Sequence, residues 1–328
     1  MNSFRPLSRL PSRGQSSFLQ DEDGLVIARG VSSRRRQGDG CVKIGSVEIV
    51  ERECEAAGLR WFYREALPMN DTEKPPVVLL HGLVSQSYSW RGVMAPLAEV
   101  GFRAVAPDWI GHGYSAKPDK RKFDYTPEAF VQGLEQWLAA LEIKRFSLVV
   151  QGFLGSAGLL YAARHPDQIE RLVILNTPLT AEAKLPFKIA QLGIPLVGDM
   201  LTQDPILVDR TLEGGGPYAV SDEDLEVYRR PFLKSSDVGR SLLATVKQLQ
   251  LKRVMAKIDR GFENWPVPTL IAWGTADKWL PESLAESFAQ KLADGEVVKL
   301  AETGHYAQED WAEKVGEAVV PFLRRAKL

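Results

Sequence analysis

An aspartate and a histidine late in the chain have the types and the spacing of an acid–base pair. Asp277 ends the segment WGTAD, and His305 ends the segment TGH; each segment follows a short apolar run that predicts a buried strand. An aspartate bonded to a histidine holds the ring in one tautomer and stabilises its charged form, so the other ring nitrogen can take a proton. A solvated aspartate and a surface histidine are the alternative, but the position of both after strands favours the pair.

The stretch FSLVVQGFLGSAGLLYAARHP, residues 146–166, has the layout on which a nucleophile is presented. Residues 146–150 predict a buried parallel strand, and a glycine-bearing turn and a helix of small and apolar residues follow. In the G-x-S-x-G elbow the central residue sits on a strained turn and points its side chain into the active site. The corresponding pentapeptide here is VQGFL, and its centre is Gly152, which has no side chain to react.

Strands alternate with helices along most of the chain. An alternating hairpin is predicted at residues 45–53 and 59–64. Further strands are predicted at residues 77–80, 103–106, 146–150, 171–175, 268–273 and 296–301, and helices at 88–100, 126–141, 280–293 and 311–325. This order predicts an α/β fold with a mostly parallel sheet that helices cover on both faces.

The sequence divides into three parts. Between residues 177 and 266, prolines and the run GGG at 214–216 interrupt helical pieces, which predicts a helical cap inserted into the sheet domain. Residues 41–176 and 267–328 would then form the core. Residues 1–40 differ from both, because no acid occurs up to Gln20 while arginines and serines are frequent. That composition is typical of an organellar transit peptide, chloroplast before mitochondrion; a disordered extension of a cytoplasmic protein is the alternative.

From about Gly45 onward the chain resembles the α/β-hydrolase superfamily, in the branch of epoxide hydrolases, haloalkane dehalogenases and cap-bearing esterases. The resemblance rests on the HG turn at His81-Gly82, the loop DWIGHGYS at residues 108–115, the elbow, and the segments that carry Asp277 and His305. It implies an α/β-hydrolase fold, a mostly parallel central sheet flanked by helices with an inserted helical cap. It also implies that the acid and serine of residues 108–115 fix a loop by hydrogen bonds.

The resemblance assigns roles to further positions. Its oxyanion hole uses the backbone N–H after the HG turn, here Leu83, and the N–H after the nucleophile, here Phe153. His81 and Gly82 would be substrate-binding residues. Serine at the elbow would make an esterase, and aspartate a dehalogenase or epoxide hydrolase; Gly152 is neither. Leu83 and Phe153 also stand where the dehalogenases have a halide-binding asparagine and tryptophan, so dehalogenation by the family mechanism is excluded. Ser156 lies one helical turn beyond the elbow and is a poor substitute.

Three functions remain open from the sequence. The protein could bind a small lipophilic molecule in an apolar pocket under the cap, with Phe187, Tyr218, Tyr228 and Phe232 as candidate lining residues. It could act weakly on an ester-like substrate through the His305–Asp277 dyad, or serve as a scaffold. We predict no cofactor, no metal and, with a net charge of −1, no nucleic-acid partner; no run is apolar enough to predict a membrane span. The sequence leaves the ligand and the oligomeric state open.

Overall fold

The computed structural model describes residues 25–28, 31–35, 41–70, 73–204 and 206–325. Within them eleven strands form one sheet. The strands are β1 Leu25–Ala28, β2 Val31–Arg35, β3 Cys41–Ile44, β4 Val47–Ala56, β5 Leu59–Ala66, β6 Val77–Leu80, β7 Ala104–Pro107, β8 Phe146–Gln151, β9 Ile169–Leu175, β10 Thr269–Gly274 and β11 Gly295–Leu300.

The sheet order is β1-β2-β4-β5-β7-β6-β8-β9-β10-β11, with β3 paired to β4 outside this path. Strands from β7 to β11 along this order run parallel, and the pairs from β1 to β5 and the pair β5–β7 run antiparallel. The parallel strands β6 and β7 are short runs of buried apolar residues, as expected where both faces of a sheet are covered. The predicted α/β architecture is confirmed.

Twelve α-helices lie in the described residues. They are α1 Arg91–Glu99, α2 Pro127–Ala140, α3 Gly155–Arg164, α4 Phe187–Ala190, α5 Val197–Leu201, α6 Ile206–Leu212, α7 Asp222–Lys234, α8 Asp237–Gln248, α9 Leu251–Gly261, α10 Ser283–Ala289, α11 Ala307–Asp310 and α12 Ala312–Arg324. Six of them, α4 to α9, fall between β9 and β10, in the segment predicted to be the cap.

Two apolar clusters cover the two faces of the sheet. In β8, Leu148 and Val150 belong to the cluster that contains Trp137 of α2, while Val149 belongs to the cluster that contains Met94 of α1. Alternate residues of a strand point to opposite faces, so one short run fills both layers. This double burial fixes the strand ends from which the candidate site is built.

Two departures of the structure from the sequence prediction are informative. Helix α10 ends at Ala289 instead of residue 293, because the chain must turn before Gly295 enters β11; a Cβ atom built on Gly295 would lie 2.9 Å from the Ala289 carbonyl oxygen. Strands β1 and β2 also lie inside the segment predicted as an extension, and β2 pairs with β4. Residues 1–24, which contain most of the predicted transit peptide, lie outside the described residues.

Candidate active site

Gly152 occupies the turn between β8 and α3 with a left-handed backbone, φ +71°. A Cβ atom built on it would lie 3.4 Å from Nε2 of His305 and 3.0 Å from Cα of Gly82. The backbone therefore directs this position toward the candidate base, as a nucleophile elbow would. The residue that stands there carries no reactive group.

Asp277 and His305 meet at the carboxyl end of β10 and β11. Nδ1 of His305 lies 2.9 Å from Oδ2 of Asp277, and each side chain is 1% exposed. The other carboxylate oxygen accepts hydrogen bonds from the backbone N–H groups of Trp279 and Leu280, at 2.7 and 3.1 Å. A carboxylate only accepts hydrogen bonds, so Nδ1 carries the proton and Nε2 presents its lone pair toward Gly152. The predicted pair is thus brought together in the orientation of a general base.

Asn176, directly after β9, is a site residue that the sequence analysis missed. Its Nδ2 donates to Oδ2 of Asp277 at 2.8 Å, and its Oδ1 accepts from the N–H of Gly274 at 2.8 Å. Its side chain is buried and its φ is +36°, a value that asparagine tolerates better than most residues. Its position at the carboxyl end of a predicted parallel strand was the one sequence signal that could have identified it as a site residue.

Gln151 is a second residue that the sequence analysis missed. Its Oε1 accepts from the N–H of Gly82 at 3.1 Å, and its Nε2 donates to the carbonyl oxygen of His305 at 2.7 Å. The side chain is fully buried, so both bonds are shielded from water. One glutamine therefore joins the HG turn, the elbow and the histidine loop.

The predicted oxyanion donors lie on the two turns that Gln151 joins. Among the described residues, neither the N–H of Leu83 nor that of Phe153 donates a hydrogen bond to protein. The hydroxyl of Tyr306 donates to the carbonyl oxygen of Leu83 at 2.9 Å, which holds that turn in place. Their role as an oxyanion hole stays a prediction.

His81 supports the HG turn and is not positioned to bind a substrate. Its Nδ1 donates to the carbonyl oxygen of Gly82 at 2.8 Å, and its Nε2 accepts from the N–H of Trp109 at 3.1 Å. The ring is fully buried, and burial lowers its pKa. Both ring nitrogens make hydrogen bonds to the protein backbone, so neither is free to contact a substrate. The side chain of His81 therefore has a structural role and not the predicted substrate-binding one.

The loop at residues 108–115 holds itself together as the resemblance implied. Oδ1 of Asp108 accepts from the N–H of Ser87 at 2.7 Å, and Oδ2 accepts from the N–H of Tyr114 at 2.7 Å. The hydroxyl of Ser115 donates to the carbonyl oxygen of Asp108 at 2.6 Å. These bonds fix the loop without using either side chain for chemistry.

Aromatic rings and a glycine segment of the cap enclose the imidazole of His305. Phe153 stacks on it with ring centroids 5.2 Å apart, Trp279 lies at 4.7 Å, and Tyr306 packs edge-on at 5.0 Å. We call residues 214–216, which follow α6, the glycine strap. The N–H of His305 donates to the carbonyl oxygen of Gly215 at 3.0 Å, and a Cβ atom on Gly215 would lie only 2.8 Å from Cβ of His305. Ligand access to the base therefore requires movement of the strap or of a ring.

None of the ligand-sized clefts found on the described residues opens at the dyad. A cavity of about 10 Å³ lies beside the HG turn, lined by residues that include Val84, His112 and Tyr228, and this volume holds about one water molecule. Clefts of about 360 to 470 Å³ elsewhere on the described residues are not lined by Gly152 or His305. Phe187 is 78% exposed and Tyr218 is 37% exposed, so these two do not line a buried pocket as the sequence suggested.

A partly buried ionic network joins the cap to the core. Arg91 of α1 makes two bonds to Glu309 of α11, at 2.8 and 2.7 Å, and contacts Asp224 of cap helix α7 at 3.0 Å. Tyr228 of α7 donates to Glu309, and Tyr88 donates to Asp224 at 2.8 Å. Cap and core thus share one set of hydrogen bonds a short way along the chain from His305.

Neither a metal site nor a membrane helix was found in the part of the chain that the structure describes. No group of three or more histidine, cysteine, aspartate and glutamate side chains there is arranged to hold a metal ion. No helix among the same residues is long and apolar enough to cross a membrane.

Comparison with known proteins supplies independent evidence on the family. The model of the alpha/beta hydrolase fold family matches residues 75–311. The chain is 31% identical over 269 residues to a cis-3-alkyl-4-alkyloxetan-2-one decarboxylase of Shewanella oneidensis, covering 78% of this chain and 84% of that protein. It is 29% identical over 267 residues to a haloalkane dehalogenase of Mesorhizobium japonicum, covering 76% of this chain and 84% of that protein.

Comparison with solved structures also indicates this family. The fold is similar to that of the haloalkane dehalogenase DbeA from Bradyrhizobium elkani, with a TM-score of 0.74 and 25% sequence identity. The match covers 84% of this chain and 97% of that one. The fold is therefore shared over nearly the whole of the dehalogenase chain.

Proposed function

The chain belongs to the alpha/beta hydrolase fold family, and we propose that it hydrolyses a small lipophilic ester-like substrate with water activated by His305 and Asp277, without a covalent intermediate. The observation that carries this proposal is the relation between His305 and Gly152. A Cβ atom built on Gly152, where the missing side chain would start, lies 3.4 Å from Nε2 of His305. A water molecule bound in that place would lie within hydrogen-bonding reach of the base.

The remaining steps follow from the neighbouring groups. His305 takes a proton from water as the oxygen attacks the carbonyl carbon, and Asp277 stabilises the imidazolium that forms. The N–H groups of Leu83 and Phe153 would hold the charge that develops on the carbonyl oxygen. When the tetrahedral intermediate collapses, the carbon–oxygen bond of the ester breaks and His305 returns the proton to the leaving alkoxide.

The serine next along the chain does not replace the nucleophile. The hydroxyl of Ser156 donates to the carbonyl oxygen of Phe153 at 2.7 Å, one turn into α3. A side chain held by its own helix in this way is not directed to the space above Gly152. Direct attack by water is therefore the route that the retained groups support.

The substrate class rests on the relatives and on the residues around the dyad. One relative is named for an alkyl-substituted oxetan-2-one, which is a cyclic ester that carries apolar chains. Phe153, Trp279 and Tyr306 surround the base with apolar rings, which favours a lipophilic acyl or alkyl group over a polar one. A lipophilic ester as the substrate suits both features.

One observation favours a second candidate, a protein that binds a lipophilic ligand and catalyses nothing. The side chain of His305 is 1% exposed, under the strap and the aromatic rings. A dyad so enclosed also serves as packing between cap and core. The two functions differ in whether any bond of the ligand is broken.

The test is a panel of short- and medium-chain nitrophenyl esters, a dialkyl oxetan-2-one and an epoxide, assayed with the full chain, His305→Ala and Gly152→Ser. Turnover that His305→Ala abolishes, with no covalent adduct in intact-mass spectra, is the expected result. Activity only in Gly152→Ser would overturn the proposal, because the natural protein would then lack catalysis despite an intact site. Inactivity of all three, with binding of a fluorescent fatty ester, would leave the second candidate.

A further inference from the structure

The small cavity beside the HG turn lies between the cap and the core. Its core side is formed by residues 84–86 and 112–113, and its cap side by residues of α7 and α8. Its volume of about 10 Å³ holds one group of the size of a water molecule or a hydroxyl. Ligand sites occur preferentially at interfaces of this kind between two parts of a fold.

Two residues that line this cavity carry buried polar atoms without a hydrogen-bond partner among the described residues, Oγ of Ser85 and Oε1 of Gln86. Ser85 is 6% exposed and Gln86 is 2% exposed. Nε2 of Gln86 donates to the carbonyl oxygen of Val227 in α7 at 2.9 Å, which fixes the amide and leaves its oxygen to accept from another group. Because a buried polar atom without a partner is costly, the two atoms together indicate a ligand group that pairs with both.

The backbone beside these two residues is strained. Val84 has a left-handed backbone, φ +54°. A β-branched residue rarely adopts this conformation, because its side chain then crowds the backbone. Strained backbone of this kind concentrates at active sites and ligand clamps, where the surrounding structure holds it in place. The strain at Val84 is therefore a second, independent indication of a binding site at residues 84–86.

The chemistry of the wall selects the kind of ligand group. No aspartate, glutamate, lysine or arginine lines the cavity. Burial lowers the pKa of His112 well below its ordinary value, and His81 and Lys117 lower it further, so this ring is neutral. An ion would thus have no countercharge. Oε1 of Gln86 only accepts hydrogen bonds, whereas the hydroxyl of Ser85 can donate one. A single hydroxyl group that donates to Gln86 and accepts from Ser85 satisfies both.

We propose that Ser85 and Gln86 bind a hydroxyl group of the ligand, which is a lipophilic carbonyl compound with that hydroxyl a few carbons from the carbonyl. This inference rests on the proposed function, because it takes the carbonyl oxygen to lie at the N–H of Leu83. Ser85 is two residues further along the chain, so its Cα lies at most about 7 Å from that of Leu83. A few carbon atoms span this distance, and one molecule therefore reaches both places.

The experiment is isothermal titration of the full chain with nonan-2-one, 4-hydroxynonan-2-one and 5-hydroxynonan-2-one. Ketones are not hydrolysed, so binding is measured independently of catalysis. We expect at least one hydroxyketone to bind roughly tenfold or more tightly than nonan-2-one, because nonan-2-one leaves the polar atoms of the cavity unpaired. Ser85→Ala should remove this preference and leave the binding of nonan-2-one unchanged.

Ser89→Ala is the matched control and should keep the preference. Ser89 is also buried, but its hydroxyl lies 3.3 Å from Nε2 of Gln308 and the residue does not line the cavity. Circular dichroism of both variants checks that they are folded.

Three results would overturn the proposal. The first is equal binding of the three ketones, or binding of none. The second is a preference for a hydroxyketone that Ser85→Ala retains. The third is a crystal structure with bound hydroxyketone in which a water molecule occupies the cavity, since the site would then hold water only. Hydrolysis of the ester panel alongside any of these results would leave the proposed function intact, and a hydroxyl preference without hydrolysis would leave this site intact.

Discussion

Gly152 and Gly82 pack backbone against backbone across the candidate site. A Cβ atom on Gly152 would lie 3.0 Å from Cα of Gly82, and a Cβ atom on Gly82 would lie 3.1 Å from Cα of Gly152. The HG turn and the elbow thus approach more closely than side chains at both positions would allow. Glycine at residue 152 therefore has two effects. It removes the nucleophile, and it relieves the backbone strain that the left-handed turn would impose on another residue.

We predict that Gly152→Ala lowers the free energy of unfolding by about 2 kcal/mol, from the left-handed backbone and the contact with Gly82. Denaturant titration measures this loss. Gly58→Ala is the control, because Gly58 has φ +74° with nothing within 4 Å of a built Cβ atom, so it reports the backbone cost alone. Equal losses in the two variants would show that the approach of Gly82 costs nothing.

Asn176→Ala should destabilise the protein by about 2–3 kcal/mol. The substitution leaves the N–H of Gly274 without its side-chain acceptor and Asp277 without one donor, in a buried place. Asn264 also has a left-handed backbone, φ +59°, but is exposed, so Asn264→Ala separates the conformational cost from the lost bonds. If hydrolysis is found, Asn176→Ala should lower kcat more than it raises KM. A loss no greater than that of Asn264→Ala would contradict this assignment.

Asp310 makes stability depend on pH in a defined direction. Burial raises the pKa of its carboxyl from 3.8 to about 6; Glu309 and Asp277 add to this, while the N–H of Gly304 and His305 oppose it. Because the folded-state pKa is above the unfolded one, the contribution of Asp310 to stability is lost as pH rises from about 4 to about 6.

Asp310→Asn should therefore gain stability relative to the wild type across that interval, by up to about 3 kcal/mol. Denaturant titrations at pH 4 to 7 measure the trend. Asp119→Asn should show no such trend between pH 4 and 7, because hydrogen bonds from Arg121 lower the pKa of Asp119, so that its contribution is lost only as pH falls below about 4. A flat difference between Asp310→Asn and the wild type would refute the raised pKa.

Arg91→Met should lower the free energy of unfolding by about 3 kcal/mol. The substitution leaves the carboxylate of Glu309, which is 3% exposed, without its cation. Arg91→Met/Glu309→Gln should recover part of this loss, since no unpaired charge then remains buried. Arg230→Met, which breaks an exposed pair with Glu226, should change stability by less than about 0.5 kcal/mol. Thermal melts of the wild type and these three variants measure their order of stability. An Arg91→Met variant as stable as Arg230→Met would contradict the prediction.

The N-terminal composition leads to a prediction about location. We propose that residues 1–40 direct the protein to the chloroplast, with mitochondrion and cytoplasm as the alternatives. Translated full chain should be imported and shortened by isolated chloroplasts, and replacement of Arg5, Arg9 and Arg13 by glutamate should prevent import. Import into mitochondria alone, or into neither organelle, would refute the chloroplast assignment.

Much of the fold could be predicted from the sequence because its signals are local. The predicted strand at residues 77–80 coincides with β6, and the predicted helix at residues 126–141 differs from α2 by one residue at each end. Buried strands of a parallel sheet are continuous apolar runs, and helix starts carry capping residues, as Thr126 does through its bond to the N–H of Ala129. Helix α10 was predicted too long because its end depends on a packing contact.

The sequence by itself determined that Gly82, Gly152, Asp277 and His305 would follow buried strands, and hence that they would gather at one edge of the sheet. Only the tertiary structure decided what surrounds them. The bonds of Gln151 and Asn176 join residues 154 and 101 positions apart, and the strap reaches His305 from the cap. Periodicity and short motifs encode the path of the chain over a few residues. They do not encode which distant segments come into contact, and it is those contacts that enclose His305.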